Sequence, residues 1–332
     1  MEIPSLTELA SLIPTEASAY EFMERLRWGS DQQVCPHCGS VASHYFLQPR
    51  NGVSRATRTG AQSERRVWKC RDCKRQFTVL VGTIFHRTKV PVRTWLFVLF
   101  EMSASKNGVS AREIERKYAL TPRTAWFMTQ RLREAMRREP TAGLLRGTVI
   151  ADETFIGPNP RNFKKGKRFQ ADHYKREHKI PVLSLVSKES GEVRSQVVPN
   201  VTRETLRAAI LRECDLADTD LQTDQSQPYI PIGWKARSHG RVNHAMSEYV
   251  RDGITTNHAE GFFAQLKRSL DGTHHAISRE HLHRYLAEFD YRYTTRKMSD
   301  SQRMTDLARR TAGRRLTYRE SPSEPSASSL VS

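Results

Sequence analysis

Four of the five cysteines in this 332-residue chain fall in two Cys-x-x-Cys pairs, Cys35-Pro-His-Cys38 and Cys70-Arg-Asp-Cys73. Two such knuckles facing each other supply four thiolates for one tetrahedral zinc ion, and closing that site contributes folding free energy directly. Residues 29–90 are therefore read as a zinc ribbon, with structural Zn²⁺ on Cys35, Cys38, Cys70 and Cys73 and a strand running from Phe77 to Val81. The 31 residues between the knuckles exceed the usual spacing, and the polar run from Gln48 to Glu64 accounts for the excess as a loop inserted between strands. His37 lies inside the first knuckle as a weaker rival ligand, and the remote Cys214 is expected to be buried. Cysteines used this way suit a reducing compartment better than disulfides do. No apolar run reaches the 18 residues needed to span a bilayer, and the start MEIPSLTELASLIP lacks the basic-then-apolar order of a secretion signal. The expected location is cytoplasmic, in association with the nucleoid.

Lys and Arg outnumber Asp and Glu by 54 to 36, a net charge of +18. A surplus of that size points to a polyanionic partner, and nucleic acid is the commonest. Two basic regions stand out. Basic flanks around the second knuckle include Arg71, Lys74 and Arg75, placed to lie along phosphates. A second basic stretch, Arg161 to Lys179 with Lys164, Lys165, Lys167 and Arg168, has neither helical nor strand period and reads as a loop that orders against nucleic acid.

Residues 1–28 read as a helical lead-in, its second helix apolar on one side through Ala19, Phe22, Met23 and Leu26. Within 91–140, an apolar helix around Trp95 to Met102 precedes VSAREIERKYALTPRTAWFMTQRLREAM, two helical stretches joined at Ala119 to Thr121. Ser110 and Glu113 offer a capping box for the first stretch, and Thr121 with Pro122 starts the second. This is helix-turn-helix spacing, in which the second helix enters the major groove and Arg123, Thr124 and Gln130 become candidate contacts. An αα-hairpin that only packs is the other reading.

Beyond Pro140 the pattern changes to strands. Gly147 to Gly157 is an apolar strand that runs into Asp152, and a carboxylate in mid-strand is costly unless it is paired or binds a metal. Glu153 alternates to the opposite face, exposed or paired. Strands at Ile180–Val186 and Glu192–Val198 follow, then a helix from Thr202, then Asp220 to Asp224, a short strand with a second carboxylate at its end. Three strands, a helix, a strand and further helices, with acids ending the first and fourth strands, describe an α/β domain over 141–300. It is a mixed RNase H-like sheet flanked by helices, in which those two strands lie side by side.

The third wall is the helix in ITTNHAEGFFAQLKR, Ile254 to Arg268. Ala259, Phe262, Phe263, Leu266 and Leu270 form its apolar face, and Asn257, Glu260 and Lys267 gather on a separate flank. Taken alone, that flank reads as a solvated face. Set beside Asp152 and Asp224 it becomes a carboxylate site whose mutual repulsion divalent cations relieve, and hard oxygen ligands select Mg²⁺ or Mn²⁺. Two such ions suit in-line phosphoryl displacement. Asp152 would bridge them, and Asp224 and the carboxylate or amide of the helix would each hold one. No Gly-rich phosphate loop supports nucleotide hydrolysis.

The stretches CPHCG, CRDCKRQFTVLVGTIF, ADETFIG, TDQSQPY and TTNHAEGFFAQLKRSLDGTHHAISREHLHRYLAEFDYRY together resemble a DDE-type bacterial insertion-sequence transposase in which a zinc ribbon precedes an RNase H-like catalytic domain. The resemblance covers most of residues 20–297. It implies binding of terminal inverted repeats, metal-dependent DNA cleavage and strand transfer into target DNA, with Asp152 and Asp224 as the first two acids and Lys267 as the motif lysine. Either Glu260 or Asn257 takes the third position, Glu260 being favoured because it is anionic and stands seven before Lys267. Handling two ends together implies a homo-oligomer, a dimer on DNA. The alternatives are a DNA-binding regulator that keeps the fold without chemistry, and an RNase H-like nuclease or resolvase that cuts without joining. Residues 301–332, basic and then Ser- and Pro-rich, read as a disordered tail.

Overall fold

The structure is a computed structural model that describes residues 5–29, 33–41, 43–48, 56, 63–139, 142–157, 179–242, 250–251, 254–275 and 277–317. The basic stretch 161–178, most of the 48–64 loop and the tail from 318 onward lie outside the described residues. The helices of seven residues or more among the described residues are α1 (Leu6–Leu12), α2 (Glu16–Trp28), α3 (Val92–Ala104), α4 (Ala111–Lys117), α5 (Pro122–Met136), α6 (Arg203–Glu213), α7 (Asn257–Ser269), α8 (Arg279–Thr294) and α9 (Asp300–Arg310). The strands are β1 (His44–Phe46), β2 (Trp68–Cys70), β3 (Gln76–Phe77), β4 (Leu145–Ile156), β5 (Ile180–Ser187), β6 (Val193–Val197), β7 (Cys214–Asp224), β8 (Ser238–Val242), β9 (Val250–Arg251) and β10 (Ile254–Thr255). Among the described residues no helix is long and apolar enough to cross a membrane. The chain divides into two compact units, one of Met1–Ala104, Ala111–Ala135 and Ser299–Ser332, the other of Ser105–Ser110 and Met136–Met298.

In the first unit α3 is the central helix. Val92, Trp95, Leu96, Val98, Leu99 and Met102 are all buried, and α1, α2 and α9 pack around it. Its first turn would leave backbone donors unsatisfied. The Glu16 carboxylate, at the start of α2, accepts from Val92 N at 2.6 Å and Arg93 N at 3.1 Å. The presence of α9 corrects the reading of 301–332 as a tail: Met304, Leu307 and Ala308 are buried at helical spacing. Ser299 and Gln302 close a capping box at its start. Basic composition masked that short apolar stripe.

The two helical stretches read as a helix-turn-helix are α4 and α5. Ala119 turns the chain with φ 49°, and Thr121 Oγ1 accepts from Thr124 N at 3.3 Å. Glu113 pairs with Lys117 at 2.8 Å along α4. In the ribbon, β1, β2 and β3 form an antiparallel sheet, over which Trp28, Trp68, Phe77 and His44 meet edge to face. The strand expected over Phe77–Val81 stops at Phe77. Tight turns follow because Arg27 donates to the Val79 and Val81 carbonyls and Thr83 Oγ1 bonds the Leu80 carbonyl, spending the acceptors a strand partner would use.

The second unit is built on a five-stranded mixed sheet in the order β6-β5-β4-β7-β8. β4 runs antiparallel to β5 and parallel to β7, and β8 continues parallel to β7. This is the strand arrangement of an RNase H-like domain. Alternation along β4 sends Val149 and Ala151 to a core with Leu183, Leu221, Leu206 and Ile210. Ile150 goes to the opposite core, with Val182, Phe262, Phe263, Leu266 and Phe289. The buried face of α7 matches the sequence pattern, and α6, expected from Thr202, starts at Arg203 with Thr202 as its cap.

Asp290 of α8 carries a stability consequence. Its carboxylate accepts from Ser195 N at 2.7 Å and Ser195 Oγ at 2.6 Å. Burial first, outweighing those hydrogen bonds, raises it from 3.8 to about 7. A carboxyl raised on folding binds more protons in the native than in the unfolded state between those values, so stability falls as pH rises through that window. Asp290→Asn is expected to flatten this fall and to gain on the order of 1 kcal/mol at pH 8. Denaturant titrations of both proteins at pH 5 and pH 8 check it, and an equal pH dependence in the two would contradict it.

Candidate active site and metal centre

The zinc centre is assembled by two turns of matching geometry. Cys35 N donates to Ser40 O at 2.9 Å and Cys70 N to Arg75 O at 3.0 Å. The residue after each second cysteine, Gly39 or Lys74, adopts left-handed backbone, with φ 74° and 61°. The four sulfurs lie within 4.8 Å of one another, with Cys35–Cys73 and Cys38–Cys70 each at 3.7 Å. A tetrahedral zinc with bonds of about 2.3 Å has ligand sulfurs about 3.8 Å apart, so the thiols fit a structural Zn²⁺. His37 is not among them; its Nε2 faces the Gln76 carbonyl at 3.3 Å. Asp72 ties the knuckles together, accepting from Ser40 Oγ and, at 3.0 Å, from Ser43 Oγ. Cys214 is buried in the second unit, and burial pushes its thiol up to about 12.

The acids converge because of strand register. β4 and β7 pair in parallel through Ile150↔Gln222, so two residues further along Asp152 comes level with Asp224. Both alternate onto the face covered by α7, as Ile150 and Gln222 do: Ile150 packs with Phe262 and Leu266, and Gln222 Oε1 accepts from Thr255 N at 3.1 Å just before that helix. Thr255 Oγ1 in turn accepts from Asn257 N at 3.1 Å. Asp152 takes the Glu153 amide at 2.8 Å and Asp224 the Ser226 amide at 2.9 Å. Burial first, and then the negative charges of Glu153, Asp224 and Glu260, push Asp152 up to about 7. The carboxylates stand further apart than the thiols, since the cysteines are the cluster that closes to 4.8 Å among the described residues.

On α7 the side chains of Asn257, Glu260 and Lys267 are exposed, and the Glu260 charge reaches Asp152. Glu260 and Lys267 are seven residues apart, about 10 Å along one side of the helix. Glu153 points to the other face of the sheet, where the fully buried Tyr229 donates its hydroxyl to it. Sequence alternation put Glu153 on that face, either exposed or paired, and it is paired; its partner lies in what reads as a polar turn, TDQSQPY, and only tertiary structure buries it. His274 stacks edge-on against Tyr285 and Phe289 of α8.

Of the sequence-selected DNA-contact residues, Arg71, Lys74, Arg75 and Arg123 are exposed and Thr124 is half-buried. Arg71 also stacks over Tyr45 at 5.7 Å. Gln130 must be withdrawn: it is fully buried in the first unit, together with Thr129 and Arg133 on the same helix. Lys164, Lys165, Lys167 and Arg168 lie outside the described residues.

A four-cysteine ribbon in one unit and an acid-bearing RNase H-like sheet in the other define the class of protein. Comparison with known proteins gives the same two parts. The profile of the ISXO2-like transposase domain matches residues 144–294, and that of a transposase zinc-ribbon domain matches residues 14–76. An uncharacterized protein in transposable element ISH50 of Halobacterium salinarum is 22% identical over 286 residues, covering 84% of this chain and 90% of the relative. Among solved structures, a chain of the simian T-cell lymphotropic virus intasome in complex with PP2A regulatory subunit B56 gamma aligns at 13% identity. It covers 53% of this chain and 63% of that one, with a TM-score of 0.26. The chain thus carries a transposase zinc-ribbon domain followed by an ISXO2-like transposase domain.

Purified protein is expected to carry about one zinc per chain, and Cys70→Ser to lose at least about nine-tenths of it with a lowered melting temperature. Metal analysis together with thermal melting tests this, and full zinc content in the variant would exclude Cys70 as a ligand.

Proposed function

We propose that this chain is a DNA transposase that binds the terminal inverted repeats of its element and cuts and joins DNA through a divalent-metal site. The observation that carries the reading is the meeting of Asp152 and Asp224 at one level of the sheet, within electrostatic reach of Glu260. Three negative charges brought together in this way are a poor arrangement for stability alone and a suitable one for Mg²⁺ or Mn²⁺. Asp152, Asp224 and Glu260 would hold two such ions, with Asn257 as a neutral ligand or orienting group. Bound there, they supply a lowered pKa for the attacking water or 3′-hydroxyl and neutralise charge on the leaving oxygen.

The chain's own residues supply the rest. Gln222 and Thr255 fix the start of α7 over the carboxylates, and Lys267, two turns along the same side, is positioned to meet a phosphate of the DNA. The ribbon and the helix-turn-helix, with exposed Arg71, Lys74, Arg75 and Arg123, recognise the element ends. Two ends are processed together by a homodimer on DNA.

In a Mg²⁺-dependent assay with labelled end-sequence duplex, Asp152→Ala and Asp224→Ala are each expected to lower cleavage by about 100-fold or more. Glu260→Gln is expected to match them and Asn257→Ala to fall less. Undiminished cleavage by either aspartate variant would sink the proposal, and products with cuts but no joined ends would point to a nuclease instead.

A further inference from the structure

Within the first unit, positive charge collects at a place that the sequence motifs do not mark. Arg131 of α5 is half-buried; its guanidinium lies 4.6 Å over the Phe127 ring and its Nη2 donates to the His86 carbonyl at 3.5 Å. The Nε of Arg131 is buried and has no hydrogen-bond partner among the described residues. Arg87, next to His86, is exposed on left-handed backbone with φ 55°. The segment after α9 is fastened to the same region by Ile84 N to Thr311 O at 3.1 Å and Gly313 N to Gly82 O at 2.8 Å, and it carries the exposed Arg315. The charges of Arg315, Arg87 and Arg131, and His37 of the first zinc knuckle, all act on His86.

Like charges drawn together in this way lower stability unless an anion sits among them. The fold brings them from the turn after β3, from α5, from the zinc ribbon and from the segment after α9. That spread suits an extended backbone of phosphates better than one small anion. Direction along α5 agrees. Thr124 and Arg131 are seven residues apart and share one side of the helix, so the stripe that begins where a recognition helix reads bases runs into the cluster. Phosphate contacts that flank the reading helix fix register on the duplex. His37 touches the Gln76 carbonyl, one residue from Arg75, which extends the surface toward the ribbon's exposed cations.

From this we infer that His86, Arg87, Arg131 and Arg315 form a phosphate-binding site for the backbone of duplex DNA, supplied jointly by the zinc-ribbon unit's turn, the second helix of the helix-turn-helix and the segment after α9. The inference rests on the DNA-binding part of the proposed function.

The test is binding of the full-length protein to a fluorescent duplex, followed by anisotropy across a series of KCl concentrations. Arg87→Gln and Arg315→Gln, both at exposed positions, are each expected to weaken binding and to reduce the slope of log affinity against log salt by about 0.9. The double variant should lose about twice that, with zinc content and melting temperature unchanged. Arg207→Gln, an exposed position on α6 that removes the same charge, is expected to keep the wild-type slope. A double variant with the wild-type slope, or an Arg207 variant that loses as much as Arg87→Gln, overturns the site. Wild-type protein that fails to bind any duplex at low salt would instead overturn the DNA-binding reading on which the site depends.

Discussion

Parallel pairing of β4 with β7 is the interaction on which the second unit depends. One register, Ile150 opposite Gln222, brings Asp152 level with Asp224 although 72 residues separate them. The same pairing continues the two apolar cores on either side of the sheet. Because side chains alternate with a period of two, a slip of one residue would exchange the faces of Asp152 and Glu153 and expose Ile150 and Val149 to the wrong cores. Hydrophobic burial therefore holds the acids together against their own repulsion, and the raised Asp152 shows what that confinement costs electrostatically.

The ribbon solves a different problem. Three strands of two or three residues cannot bury a core of their own. Four sulfurs gathered to tetrahedral spacing and an aromatic cluster of Trp28, Trp68, Phe77 and His44 replace one. Glu24, on the neighbouring helix, accepts from Trp68 Nε1 at 2.9 Å and pairs with Arg66 at 3.0 Å, anchoring the small sheet to α2.

Much of this was legible in the sequence where a physical period or spacing stood behind it. The cysteine pairs, the apolar face of α7 through Ala259, Phe262, Phe263 and Leu266, and the carboxylates Asp152 within its strand and Asp224 at the end of its own were of that kind. Gln130 was not, because a polar side chain gives no sign of burial when other elements cover it, whereas its neighbour Arg131 turns to the charged face. Tyr229 was hidden for the reverse reason: a turn-like composition around it concealed a fully buried hydroxyl. Distinguishing Glu260 from Asn257 depends on which group meets an ion, a question of three-dimensional reach that helical periodicity leaves open.

The placement of α9 bears on how the protein is made. Met304, Leu307 and Ala308 close over α3 and α2, yet they are translated after the whole RNase H-like sheet. Until a ribosome has passed residue 310, the first unit lacks a wall of its core. At about 5–20 residues per second of synthesis, the 163 residues from Met136 to Met298 impose a delay on the order of ten seconds or more. A truncated nascent chain thus has no completed first unit, and completion of that unit reports that the five-stranded sheet has already been synthesised.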